Sequence, residues 1–181
     1  MARNFTISLP ATAFSPLRGT VAAATVTSQA VTNSHRVAWA CDDTATEGAA
    51  SVPFVCPNEY TGSGALKANI FFASGTQNSG SAVFAVYVEA ITAGADSLNV
   101  TTTDGFDSAN TGTTDLSGST AGDLLRQTVT LANKDSVAAG DQVRISFLRS
   151  VAAIASATTY TRQRCGGRSS TDLVLAECGR R

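Results

Sequence analysis

The chain has 181 residues, 43% of them hydrophobic and only 15% charged, with a formal net charge of −1. That length suits one domain with an appendage rather than two full domains. The near-neutral charge, with basic residues spread out until the final Arg180 and Arg181, gives no footprint for a phosphate backbone, so nucleic-acid binding is not expected. No apolar run reaches the roughly eighteen residues of a membrane span, and Met1-Ala2-Arg3-Asn4-Phe5-Thr6 lacks the pattern of a secretion signal. No membrane partner and no export by the general route are expected.

Residues 1–33 are rich in Ala, Thr, Ser and Val and contain Pro10 and Pro16. A short strand is expected at Phe5 to Leu9, within an otherwise extended N-terminal arm that buries little surface in its own domain. From Arg36 the pattern changes to short alternating runs, the mark of strands with one buried face. Val37, Trp39 and Cys41 form one such face. Ala50 to Cys56 reads as a second strand, which Pro53 assigns to a sheet edge. After the turn Asn58 to Gly64, the residues Leu66, Ala68, Ile70 and Phe72 share a face, with Lys67 and Asn69 on the other.

Val83 to Ile91 is apolar on both faces, as a central strand should be. The polar stretch 92–122 predicts one short strand inside a long loop. Leu125 to Leu131 and Val143 to Phe147 alternate cleanly across Ala138-Ala139-Gly140-Asp141, with room for a single helical turn at Lys134 to Ala139. Thr171 to Cys178 reads as the closing strand. No segment is long enough for a crossover helix, so the fold class is all-β: a jelly-roll or Greek-key β-sandwich of about eight strands spanning 34–181, preceded by the 1–33 arm.

Catalytic chemistry finds little to work with. The chain owns one histidine, His35, at the junction of arm and sandwich, and no Gly-x-Ser-x-Gly elbow surrounds a serine. Carboxylate pairs for glycoside hydrolysis would come from Asp42, Asp43, Glu47, Glu59, Glu89 and Glu177, but aromatic platforms for a sugar are scarce. Asp104, Asp107 and Asn110 could offer oxygens to calcium, although their three-residue spacing is not that of an EF-hand. Gly62-Ser63-Gly64 and Gly166-Gly167 read as turns, without the lysine of a phosphate loop. Cys41, Cys56, Cys165 and Cys178 match no zinc or redox spacing, and could stay as thiols or pair in any of three ways. The expectation is a non-enzyme with no catalytic, cofactor-binding or metal residues.

The run Val37-Ala38-Trp39 through Asp42-Asp43-Thr44, followed by Tyr60-Thr61-Gly62-Ser63-Gly64-Ala65-Leu66, resembles a group of tailed-bacteriophage virion proteins. In these a DFDD strand precedes a YxGGGL turn and strand. The likeness continues through Leu124 to Leu131, Ala138 to Ile145 and Leu173-Val174-Leu175. Here Ala-Cys stands in place of the pattern's Asp-Phe, and Ser63 in place of a glycine. The resemblance implies a jelly-roll protein of the virion, either a capsid decoration (cement) protein or a part attached to head or tail. It further implies a homotrimer that binds the major capsid protein, with assembly in the bacterial cytoplasm and thiols kept reduced. Independently of the resemblance, an arm rich in small and β-branched residues suits strand addition, so residues 1–33, with His35 at the hinge, are expected to clamp the domain to its oligomer or to the shell. The competing expectations are a tail or fibre component, or a glycan-binding module using the 92–122 loop.

Overall fold

The computed structural model describes residues 5–16, 22–23, 25–31, 34–41, 46–74, 80–96, 105–149, 161–162 and 173–178. Side chains are described for 5–16, 38–41, 46–73, 80–96 and 105–149. In chain order the strands are β1 (Thr6–Leu9), β2 (Phe14–Pro16), β3 (Ala22–Ala23), β4 (Thr25–Val31), β5 (Ser34–Cys41), β6 (Glu47–Ser51), β7 (Phe54–Val55), β8 (Ala65–Ser74), β9 (Ser81–Ile91), β10 (Asn110–Asp115), β11 (Leu125–Thr130), β12 (Gln142–Arg149), β13 (Thr161–Arg162) and β14 (Leu173–Cys178). One 3₁₀ turn at Ala11–Ala13 is the sole helical element among the described residues.

The strands form two sheets. The first runs β1-β14-β8-β13-β5-β4, with β11 on the opposite side of β8; the second runs β10-β9-β12-β6-β2, with β3 on β6 and β7 on β12. All pairings are antiparallel except β3 with β6. Three of them nest: β9 with β10, outside these β8 with β11, and outside these β6 with β12.

The two sheets pack face to face. Leu66, Ala68, Ile70 and Phe72 of β8 meet Phe84, Val86 and Val88 of β9 and Val143, Ile145 and Phe147 of β12 in one apolar cluster. Phe72 and Phe84 bridge the layers edge to face, with centroids 5.0 Å apart. Alternation along β8 and β12 explains this, because residues two apart share a face. The expectation for the 83–91 run is met: β9 lies between β10 and β12, and even its outer face buries Val83, Ala85 and Glu89.

Several finer expectations need correction. Residues 5–16 are not a free arm. Leu9, Ala11 and Phe14 are core residues, β1 extends the first sheet beside β14, and β2 extends the second beside β6. The Trp39 indole N–H donates to Ala11 O at 2.9 Å, and Val52 N–H donates to Ala13 O. A domain boundary at residue 33 also cuts the β4–β5 pairing, which aligns Val31 with Ser34. The 50–56 strand is two strands, broken at Val52-Pro53, and β6 is an interior strand between β12 and β2. Proline's missing N–H falls at the break between them, and β7, which pairs with β12 alone among the described strands, is the edge strand that Pro53 suggested. At 134–139 there is no helical turn: Asp135 and Ser136 both take φ of 51°.

Candidate functional site

The richest collection of polar side chains lies where the 92–96, 105–110 and 132–141 segments converge. Asp135 and Ser136, in the left-handed region that L-residues avoid, make a sharp turn there. Its backbone is held by carboxylates. The Asp135 N–H donates to Asp107 Oδ2 at 2.9 Å, while Asp135 Oδ2 accepts from the Ala90 N–H at 2.8 Å. Asp107 Oδ1 accepts from the Ser108 N–H, and Asp141 accepts from the Ala138 N–H and the Thr92 hydroxyl. Asp96 takes the Thr92 N–H. Asn110 is buried and links β10 to the turn, donating to Val86 O and Asn133 O and accepting from the Asn133 N–H.

These bonds show how two of the three residues considered for calcium are used. Both Asp107 oxygens accept backbone hydrogens, which hold its carboxyl below the usual aspartate range, and the Asn110 amide is used internally. Asp104 lies outside the described residues. Among the described residues no cluster of three ligating side chains is suited to a metal. The arrangement orders loops by giving otherwise unpaired N–H groups an ionised acceptor.

Of the carboxylates considered for hydrolysis, the side chains of Glu47, Glu59 and Glu89 are described, and each has its own setting. Glu59 sits on the exposed turn after Pro57. Glu89 is buried on the outer face of the second sheet, and its cross-strand partner Arg144 forms an ion pair with it through Nε. The guanidinium also lies 5.2 Å from the centroid of the Phe106 ring, so a cation covers one face of the only large ring in the 92–122 loop. Glu47 stands opposite Arg149 across β6 and β12. Asp42 and Asp43 are outside the described residues, as is Gly166-Gly167, and nothing is described of the Glu177 or His35 side chains beyond their places in β14 and β5.

Cys41 and Cys56 are both buried, and Cys41 is a free thiol. Burial, reinforced by Glu47 and opposed by Arg149, pushes the Cys41 thiol up to about 12, far from a nucleophile's value. The side chains of Cys165 and Cys178 lie outside the described set. Gly62, with φ of 74°, shapes the turn expected at 58–64, where the Lys134 ammonium donates to Tyr60 Oη and Gly62 O, each at 2.8 Å. Sequence reading missed that lysine, because its partners lie over seventy residues away.

A second junction was also hidden in the sequence. At the flank where β10 meets β11, the Thr114 hydroxyl donates to Gln127 Oε1 at 3.1 Å, although the two strands belong to different sheets. Gly112 allows the close approach. A Cβ there would collide with the Gln127 amide and lie 2.9 Å from Val129 Cγ2.

Comparison with protein families, curated proteins and solved structures returns no match to the chain.

Proposed function

We propose that the protein is a non-enzymatic structural component of a tailed-bacteriophage particle, and more narrowly a decoration protein that binds the major capsid protein and stabilises the shell. The observation that carries the reading is how the polar side chains are used. Asp96, Asp107, Asp135 and Asp141 serve as acceptors that order loops, and Glu89 is tied to Arg144, so the chemistry-bearing groups act as architecture.

The residues that carry the phage resemblance agree with this, since they fall at structural joints. Trp39 is in the core, Tyr60 to Gly64 forms the lysine-braced turn, and Ala138 to Asp141 leads into β12. The nested pairing supports the finer jelly-roll reading, in which one long hairpin rolls up so that successive strand pairs alternate between two sheets. A cement protein needs such a rigid body, because it stabilises a particle by binding the assembled state alone.

The test is to locate the protein in intact particles by mass spectrometry of purified virions and electron cryomicroscopy. The expected result is stoichiometric, lattice-ordered density on the shell. Recovery only in the non-particle fraction overturns the virion reading, and density confined to the tail overturns the decoration role.

A further inference from the structure

We propose that the outer face of the second sheet, where β7 meets β12, docks a partner segment that sets a carboxylate on Arg144 and apolar side chains on Val52 and Val55. The partner's identity, a segment of the shell protein, rests on the virion reading above. The register along β12 shows how the patch is made. Ala50 lies opposite Ser146, and Phe54 opposite Val143, so Ser51, Val52 and Pro53 span what Ile145 and Arg144 span on β12. The Ile145 N–H donates to the Ser51 hydroxyl at 2.9 Å, which leaves Val52 and Pro53 together facing Arg144. This is a β-bulge, a device that re-aims side chains. Val52 is left 49% exposed; Val55, opposite Gln142 and so on the same face as Arg144, is 62% exposed.

Arg144 stands in this apolar frame already oriented. Its Nε donates to the buried Glu89 carboxylate, its guanidinium lies over the Phe106 ring, and its side chain stays 38% exposed. A planar guanidinium held along one edge and on one face presents its terminal N–H groups as the fork that a carboxylate accepts with both oxygens. The nearby acids are engaged elsewhere: Asp107 and Asp141 accept from backbone N–H groups and the Thr92 hydroxyl. Ile91, Gln142, Tyr87, Ser146 and Ala50, which flank the Glu89–Arg144 pair on this face, are uncharged. Charge complementarity therefore selects an acidic side chain with apolar neighbours. An arginine fixed in advance among apolar groups is the kind of anchor that carries binding energy, because little order is lost when the partner arrives.

The test incubates the purified full chain with shells assembled without it and measures co-sedimentation. Val55→Asp gives Arg144 a carboxylate of its own and repels the partner's, whereas Val55→Asn has the same shape without the charge. The Asp variant should bind about tenfold more weakly than the Asn variant at low salt, with the gap narrowing as salt rises. Both replace an exposed side chain, so their urea midpoints should match the wild type. Hydroxyl-radical footprinting of the wild type, bound against free, should protect Val52, Pro53 and Val55, a readout that needs no variant. Equal binding by the Asp and Asn variants overturns the carboxylate contact, and unchanged labelling of Val52 to Val55 overturns the surface; both leave the virion role intact. A wild-type chain that does not sediment with shells overturns the decoration reading and this partner with it.

Discussion

Replacing Gly112 with alanine tests how tightly the flank of the sandwich is built. The added methyl would overlap the Gln127 side-chain amide and press on Val129 Cγ2 at 2.9 Å, and Val129 is itself core. Glycine is required here by space, not by backbone conformation. Overpacking of this kind costs about 1–3 kcal/mol, and displacing Gln127 also loses its bond from Thr114, worth about 1 kcal/mol. A destabilisation of about 3 kcal/mol is therefore expected in urea unfolding followed by Trp39 fluorescence. Gln127→Ala should relieve the collision, so the double variant should be less destabilised than the two single effects added together. A Gly112→Ala loss below about 0.5 kcal/mol, within the range of ordinary surface substitutions, or strict additivity with Gln127→Ala, would refute the account.

Deleting residues 1–16 should abolish cooperative unfolding, because Leu9 and Phe14 each contribute about 2–3 kcal/mol of burial against a typical total of about 5–15 kcal/mol; a sharp transition in the truncated chain would contradict this. Cys41, with its thiol pushed up to about 12, should resist iodoacetamide at pH 8 in the native state and react on unfolding, as read by peptide mass spectrometry. The carboxyls of Asp107 and Asp115 are held below their ordinary value by backbone N–H groups, of Asp135 and Ser108 for the first and of Ser117 for the second. Their stabilisation is thus complete above the ordinary aspartate pKa and is lost as pH falls through the depressed folded values, so urea midpoints should drop below about pH 4, less steeply in Asp107→Asn. Arg144→Ala strands the buried Glu89 and should cost about 2 kcal/mol, with Glu89→Gln milder.

The two-layer core was legible in the sequence because β8, β11 and β12 each put every second residue into it, and the period of two survives without knowledge of partners. The N-terminal segment was not legible for the opposite reason. β1 is four residues long, β2 is three, and their partners are β14 and β6, far along the chain. A composition of small residues around two prolines looks the same whether it drapes over a neighbour or stitches its own sheets. The loop-ordering aspartates were visible as polar residues, yet their acceptor roles depend on the left-handed turn at Asp135-Ser136, which non-glycine residues do not announce. Pro53 marked an edge, which β7 is among the described strands, but it did not announce the break that separates β7 from the interior β6.

The sandwich is laced along both flanks, and this bears on where contacts can form. At one flank β10 and β11 meet through Thr114 and Gln127; at the other, β1 and β2 belong to different sheets and are joined by Pro10 and a three-residue 3₁₀ turn. Each lacing keeps the layers from sliding or opening, so neither flank offers an edge without dismantling the core. The β13-β5-β4 branch stays close to the N-terminal lacing: the Trp39 indole of β5 donates to Ala11 O in the 3₁₀ turn, and β3, which pairs with β6, precedes β4 by a single residue.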